Sequence, residues 1–149
     1  MGYYVDLIHS TAFIPEDKLD ESLRVLKELN ETRHDLKTGG SYSGGEQTAR
    51  WFAWMPEDWS TFESVQDILT AAGFDCFTDE NGLSITRYNE KTGCERVLMA
   101  TIAHLLDPAS EMEWRGEEGE QWKWTFSESG MAEWSGEFIW THCGAPIRL

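Results

Sequence analysis

At 149 residues and 17.1 kDa the chain has the size of one domain and is long enough to bury a sizeable core. A hydrophobic content of 40%, with 13% aromatic residues and eight Trp, excludes an intrinsically disordered protein. Against 27 Asp and Glu stand only 12 Lys and Arg, a net charge of -15; a field of that sign excludes direct binding of nucleic acid or an anionic membrane and attracts basic proteins.

Residues 3–8, rich in aromatic and β-branched side chains, predict a first strand. A helix follows, with Pro15 in its first turn, Glu16 and Asp17 near its positive end, and Leu19, Leu23, Leu26 and Leu29 at helical spacing. Periodicity is then lost, and the pairs Gly39-Gly40 and Gly44-Gly45 mark residues 31–49 as a flexible Gly-rich loop. Trp51, Phe52 and Trp54 predict a second strand over 50–55, closed by Pro56. Ser60 and Glu63 have capping-box spacing, with Phe62, Val65, Leu69 and Ala72 as the apolar face of the helix they start and Gly73 as its stop. Asn81-Gly82 between residues 74–78 and 83–88 is a hairpin signal. Residues 97–106 read as a short helix that ends before Asp107-Pro108.

The last third reads as a three-stranded meander. Met112, Trp114, Trp122, Trp124, Phe126, Trp134, Phe138 and Trp140 recur at every second position, which predicts one Trp-rich face. Glu111, Glu113, Arg115, Lys123, Thr125, Glu133, Ser135 and Glu137 occupy the alternate positions, so the opposite face is expected to be wet and mostly acidic, with a Glu113, Lys123, Glu133 ladder across it. The expected fold is a single α+β domain over residues 1–149, its largely antiparallel sheet covered on one face by two or three helices. No repeat or linker divides it.

Three cysteines, Cys76, Cys94 and Cys143, without a C-x-x-C pair, argue against a disulfide framework and a thiolate zinc site and fit a reducing cytoplasm. No run reaches the roughly 18 apolar residues of a membrane span, and residues 1–14 lack the basic flank of a secretory signal. Asp75, Asp79, Glu80 and Asn81 make an oxygen-rich hairpin tip without the ligand pattern of a calcium loop, so neither metal nor cofactor is expected.

Glu111, Glu113, Glu117, Glu118, Glu120, Glu133 and Glu137 are the candidate binding residues. Carboxylates on alternate strand positions lie roughly 6.5 Å apart and could imitate a nucleic-acid backbone toward a basic protein, or could serve solubility alone. Trp51, Trp54 and Trp59 form an alternative, an aromatic pocket for a small ligand or peptide beneath the Gly-rich loop. His9 and Thr11 form an H-x-T pattern resembling half of a two-histidine phosphoesterase signature, with His104 or His142 as the required second base. No catalytic residue is assigned.

The start Met1-Gly2-Tyr3-Tyr4 and the run EWRGEEGEQWKWTF from Glu113 to Phe126 resemble small uncharacterised acidic proteins of bacteriophages and actinobacteria. That resemblance implies a strand, a helix and a terminal meander, and a phage or mobile-element origin. It also implies binding and inhibition of host proteins, and the net charge of -15 makes the expected host partner a basic or nucleic-acid-binding one.

Overall fold

The computed structural model describes residues 2–40, 42, 43, 46, 47, 49–137 and 139–148, with the backbone alone described at 42, 43, 46 and 47. In chain order it contains β1 (Tyr4–Ser10), β2 (Phe13–Pro15), α1 (Leu19–Thr32), β3 (Tyr42–Ser43), β4 (Glu46–Gln47), α2 (Val65–Ala72), β5 (Asp75–Asp79), β6 (Gly82–Arg87), β7 (Asn89–Lys91), α3 (Glu95–Ile102), β8 (Glu111–Gly116), β9 (Gln121–Ser127) and β10 (Gly130–Gly136). Short 3-10 turns precede and follow α1 at Glu16–Lys18 and His34–Leu36, and another extends α3 through Ala103–Leu105.

Every strand pairing is antiparallel, in a five-stranded sheet ordered β10-β9-β8-β1-β7, a three-stranded sheet β2-β6-β5 and the small β3-β4 pair. The first two sheets share one bent ribbon. β1 pairs with β7 and β2 with β6, and the Leu7 N–H to Tyr88 O and Ile85 N–H to Ala12 O bonds carry the pairing through the bend. A register shift between Leu7 and His9 leaves Ile8 bulged, the local kink by which a strand leaves one sheet and enters the next.

One core fills the space between the sheets and the helices. Trp114 and Trp124 are buried, their rings 4.8 Å apart, and Phe74 and Tyr88 meet Trp114 edge-on. α3 and its 3-10 extension pack over β9 and β10, while α1 lies against α2 and α3. The α+β architecture, with a C-terminal meander covered on one side by helices, is therefore the one its periodicity predicts.

Four local expectations are corrected. Residues 50–55 are bends and turns rather than a strand, because Trp51, Phe52 and Met55 are the buried positions, a spacing that no extended chain can turn to one side. The capping box is Ser64 and Asp67 rather than Ser60 and Glu63: Asp58 takes the Ser60 N–H at 2.9 Å, and the same serine-to-acid spacing recurs four residues on, directly before the apolar face. Pro15 ends β2, paired with Gly82, and caps the 3-10 turn Glu16–Lys18 that runs into α1, so it stands just before the first helical turn rather than in it. The hairpin loop is Glu80-Asn81, both with negative φ; only Gly82 takes the left-handed region, at φ 148°, while the Asp79 carboxylate accepts the Asn81 and Gly82 N–H groups.

The Gly-rich segment is anchored at both ends. Leu36 packs on the core, Thr38 Oγ1 meets Cys94 Sγ at 3.3 Å, and the Gly39 N–H bonds Arg50 O. The expected flexible loop otherwise falls largely on residues 41–48, at or beyond the limit of what is described. Phe138, expected on the aromatic face, also lies outside the described residues.

Candidate functional site

The meander's register decides which of the candidate glutamates share a surface. Met112 faces Trp124 and Trp114 faces Trp122 across β8 and β9, as the alternation predicts. The β9–β10 turn, however, has only Glu128 and Ser129 between the paired Ser127 and Gly130, so Met131, Glu133 and Ser135 stand opposite Phe126, Trp124 and Trp122. Turn length sets register, and a one-residue change of phase sends a strand's side chains to the other face. Trp134 consequently lies opposite Lys123 on the open face and is 56% exposed, whereas Glu133 points toward the helices. The expected Glu113, Lys123, Glu133 ladder is in fact Glu113, Lys123, Trp134.

Glu133 has a structural task there. Its carboxylate accepts the Trp124 indole N–H at 2.9 Å and pairs with Arg96 of α3, tying the edge strand to the helix layer. Partial burial works to raise its pKa, but the Trp124 and Arg96 hydrogen bonds hold it below the usual carboxylate range. A depressed carboxyl stabilises the fold above its unfolded value, near pH 4.3, and loses that contribution as pH falls through the folded value. Glu133→Gln is therefore expected to lower the urea midpoint at pH 7 by a margin that shrinks at pH 3; an equal margin at both pH values would contradict the role.

The open face is mixed in sign rather than a row of carboxylates. Glu113 faces Lys123, Asp6 faces Arg115 and Tyr4 faces Lys91, while Lys123 Nζ lies 3.9 Å from Glu111 Oε1. Alternation of this kind supports the sheet by cross-strand pairing and leaves little net field at its centre. The uninterrupted carboxylate rows expected of a nucleic-acid mimic are broken by Arg115 and Lys123.

Net negative charge gathers instead at one end, in the β8–β9 turn. Glu117, Glu118 and Glu120 are exposed around Gly119, whose φ of 88° closes the turn. The start of β1 and the residue before it hold this turn in place: Glu117 Oε1 accepts the Tyr4 N–H at 3.0 Å, the Tyr3 hydroxyl donates to Glu120, and the Glu118 N–H donates to the Tyr3 oxygen at 3.2 Å. Gly136 faces Gln121, which brings exposed Glu137 to the same end. The carboxylates of Glu113, Glu118 and Glu137 have no hydrogen-bond or ion-pair partner among the described residues.

Beside this turn lies a recess of about 320 Å³ lined by Glu113, Gln121, Lys123 and Trp134 over the strands of Trp114, Trp122 and Ser135. The Trp134 indole donates to Thr125 Oγ1 at 3.0 Å, which fixes the ring as one wall. Of the seven candidate glutamates, Glu111, Glu113, Glu117, Glu118, Glu120 and Glu137 thus border one continuous surface, and Glu133 does not. Trp134 was missed as a surface residue; the two-residue turn before Gly130 is the sequence signal that would have placed it.

Of the alternative aromatic trio, Trp51 and Trp54 line a recess of about 150 Å³ with Thr38 and Gly39 of the Gly-rich segment, and Trp59 is not part of it. Trp51 and Trp59 are core residues, at 0% and 1% exposure, with Trp51 held by a 3.0 Å bond to Asn30 Oδ1 and Trp59 bonded to Pro56 O. Only Trp54 is exposed, stacked on Phe52. His9 is exposed on the open face opposite Glu113, whereas His104 lies in the 3-10 turn on the helix side near Glu21, so these two do not meet across a pocket. Thr11 Oγ1 bonds the main chain at Ala109 and Glu111, and His142 is exposed beyond β10. Among the described residues no group of three or more His, Cys, Asp or Glu is arranged to hold a metal, and no helix is long and apolar enough to cross a membrane. The three cysteines are unpaired, and burial pushes the Cys76 thiol up to about 12. Comparison of the chain with protein-family models, curated proteins and solved structures returns no match in any of the three.

Proposed function

We propose that the protein is a non-enzymatic acidic binding module that engages a partner carrying a positively charged surface through the turn end of its meander. The observation that carries this reading is the collection of exposed carboxylates at Glu117, Glu118, Glu120 and Glu137, with Glu113 beside them, on a chain of net charge -15. A fixed cluster of one sign raises the encounter rate with an oppositely charged surface and repels like-charged ones. The tethers to Tyr3 and Tyr4 fix the turn before a partner arrives, so less side-chain and loop entropy is lost on association. In its narrower form the reading makes the partner a basic or nucleic-acid-binding protein, as the charge requires, and one of a host that the module inhibits, as the phage-type resemblance implies.

Glu118→Lys with Glu137→Lys is the discriminating variant, because neither side chain has a partner to lose while the local field changes by four charges. Affinity capture from a cell lysate is expected to retain a basic protein on the native chain at low salt, and to lose it at moderate salt and on the double variant. Retention that ignores both changes would remove the acidic end from the mechanism.

A further inference from the structure

Away from the meander, a second concavity of about 180 Å³ opens between the start of α1, the start of α2 and the β5–β6 hairpin. Its floor is apolar, made by the half-buried Leu19 and Leu23 of α1, with the buried Val65 of α2 and Leu83 of β6 beneath them. Its polar rim is acidic: Asp20 stands on one side and Glu63 on the other, neither carboxylate having a partner among the described residues. Gln66 and Thr78 close a third side by hydrogen-bonding each other. Among the described residues no Lys or Arg lines it.

The surroundings extend the same sign. The hairpin tip that carries Asp79 and Glu80 is bonded to the first turn before α1 through the Glu16 N–H and Asn81 O, which sets Glu16 and Asp17 beside Asp79 and Glu80. Lys18 is the basic residue of that first turn. Lys27, one helical turn beyond Leu23, is turned away to Ser60 O at 3.2 Å.

An apolar floor with uncompensated carboxylates on its rim suits one class of ligand: a large aliphatic side chain flanked closely by cationic ones. We infer that this groove is a docking site for a short basic peptide segment, with one leucine-sized side chain on Leu19, Leu23, Val65 and Leu83 and flanking Lys or Arg side chains on Asp20 and Glu63. The assignment rests on the acidic-module reading and adds to it an apolar anchor at a site separate from the β8–β9 turn. A groove of one charge alone would bind any polycation. The floor makes binding depend on the anchor, since burying a leucine side chain contributes far more than a single exposed ion pair.

The test uses the intact chain labelled with 15N and the peptide acetyl-Lys-Arg-Leu-Lys-Arg-amide, followed by amide shifts at moderate salt. Saturable shifts at Leu19, Leu23, Val65 and Thr78 are expected. Replacing the peptide's leucine by alanine is expected to weaken binding about tenfold or more. Asp20→Asn with Glu63→Gln, both on the rim and outside the core, is expected to weaken it by about fivefold or more while the remaining spectrum stays native. Shifts confined to the Glu117–Glu120 turn would overturn the groove and leave the acidic-module reading standing. Groove shifts indifferent to the leucine would overturn it as mere charge adsorption, and saturable shifts nowhere would overturn it outright.

Discussion

Trp114→Ala is expected to cost about 3–5 kcal/mol, a large part of the roughly 5–15 kcal/mol that holds a domain together. The residue is fully buried and its ring is surrounded by those of Phe74, Tyr88, Trp122 and Trp124, so truncation opens a cavity that no neighbour can fill without leaving its own contacts. Its indole nitrogen is buried without a hydrogen-bond partner, which separates volume from polarity at this site. Trp114→Phe forfeits packing only. Trp51→Phe, by contrast, leaves Asn30 Oδ1 buried without its donor and is expected to add about 1–3 kcal/mol for that loss. Urea unfolding followed by circular dichroism measures all three: a lower midpoint at unchanged slope for Trp114→Ala is the expected outcome. A loss below 1 kcal/mol for Trp114→Ala would mean that the aromatic cluster is not the centre of the core.

Gly82→Ala carries the second large effect. At φ 148° an L side chain is strained, and a Cβ at this position would lie 2.1 Å from Ile14 O and 2.7 Å from Phe13 Cζ. The first obstacle is main chain in a paired strand and cannot swing aside, so β2 and β6 must separate at the hairpin end of their pairing, where Pro15 faces Gly82. Together the backbone strain and the overpacking are expected to cost about 3 kcal/mol or more. Gly119→Ala supplies the control: its φ of 88° is also left-handed, but nothing lies within 4 Å of the added Cβ, so only the conformational cost of about 1–2 kcal/mol remains. Thermal midpoints of the two variants are expected to differ by several degrees, Gly82→Ala being the lower. Equal midpoints would show that the contact with Ile14 is not enforced.

How far the sequence could be read depended on whether local chemistry or pairing decided the outcome. The Leu19, Leu23, Leu26, Leu29 stripe and the Trp114, Trp122, Trp124 alternation reported their elements well because a single periodicity governs each. The bent ribbon was invisible, since β2 and β7 are three residues long, too short for a periodicity of their own, and are defined by their pairing with β6 and β1. Residues 50–55 misled for the opposite reason. Their aromatic richness belongs to a loop that inserts Trp51, Phe52 and Trp59 into the core, where composition mimics a strand but burial does not alternate. At the candidate site the glutamates were legible as residues, but their common surface was not. The phase of β10 hangs on one two-residue turn, which exchanged Trp134 for Glu133 on the open face.

The most direct measurement of the central claim is the dissociation constant of the captured partner at several salt concentrations, for the native chain and for Glu118→Lys with Glu137→Lys. The account predicts that binding by the native chain weakens steeply as salt rises, and that the double variant binds more weakly at low salt with a flatter dependence. Coincident salt curves for the two proteins would contradict it.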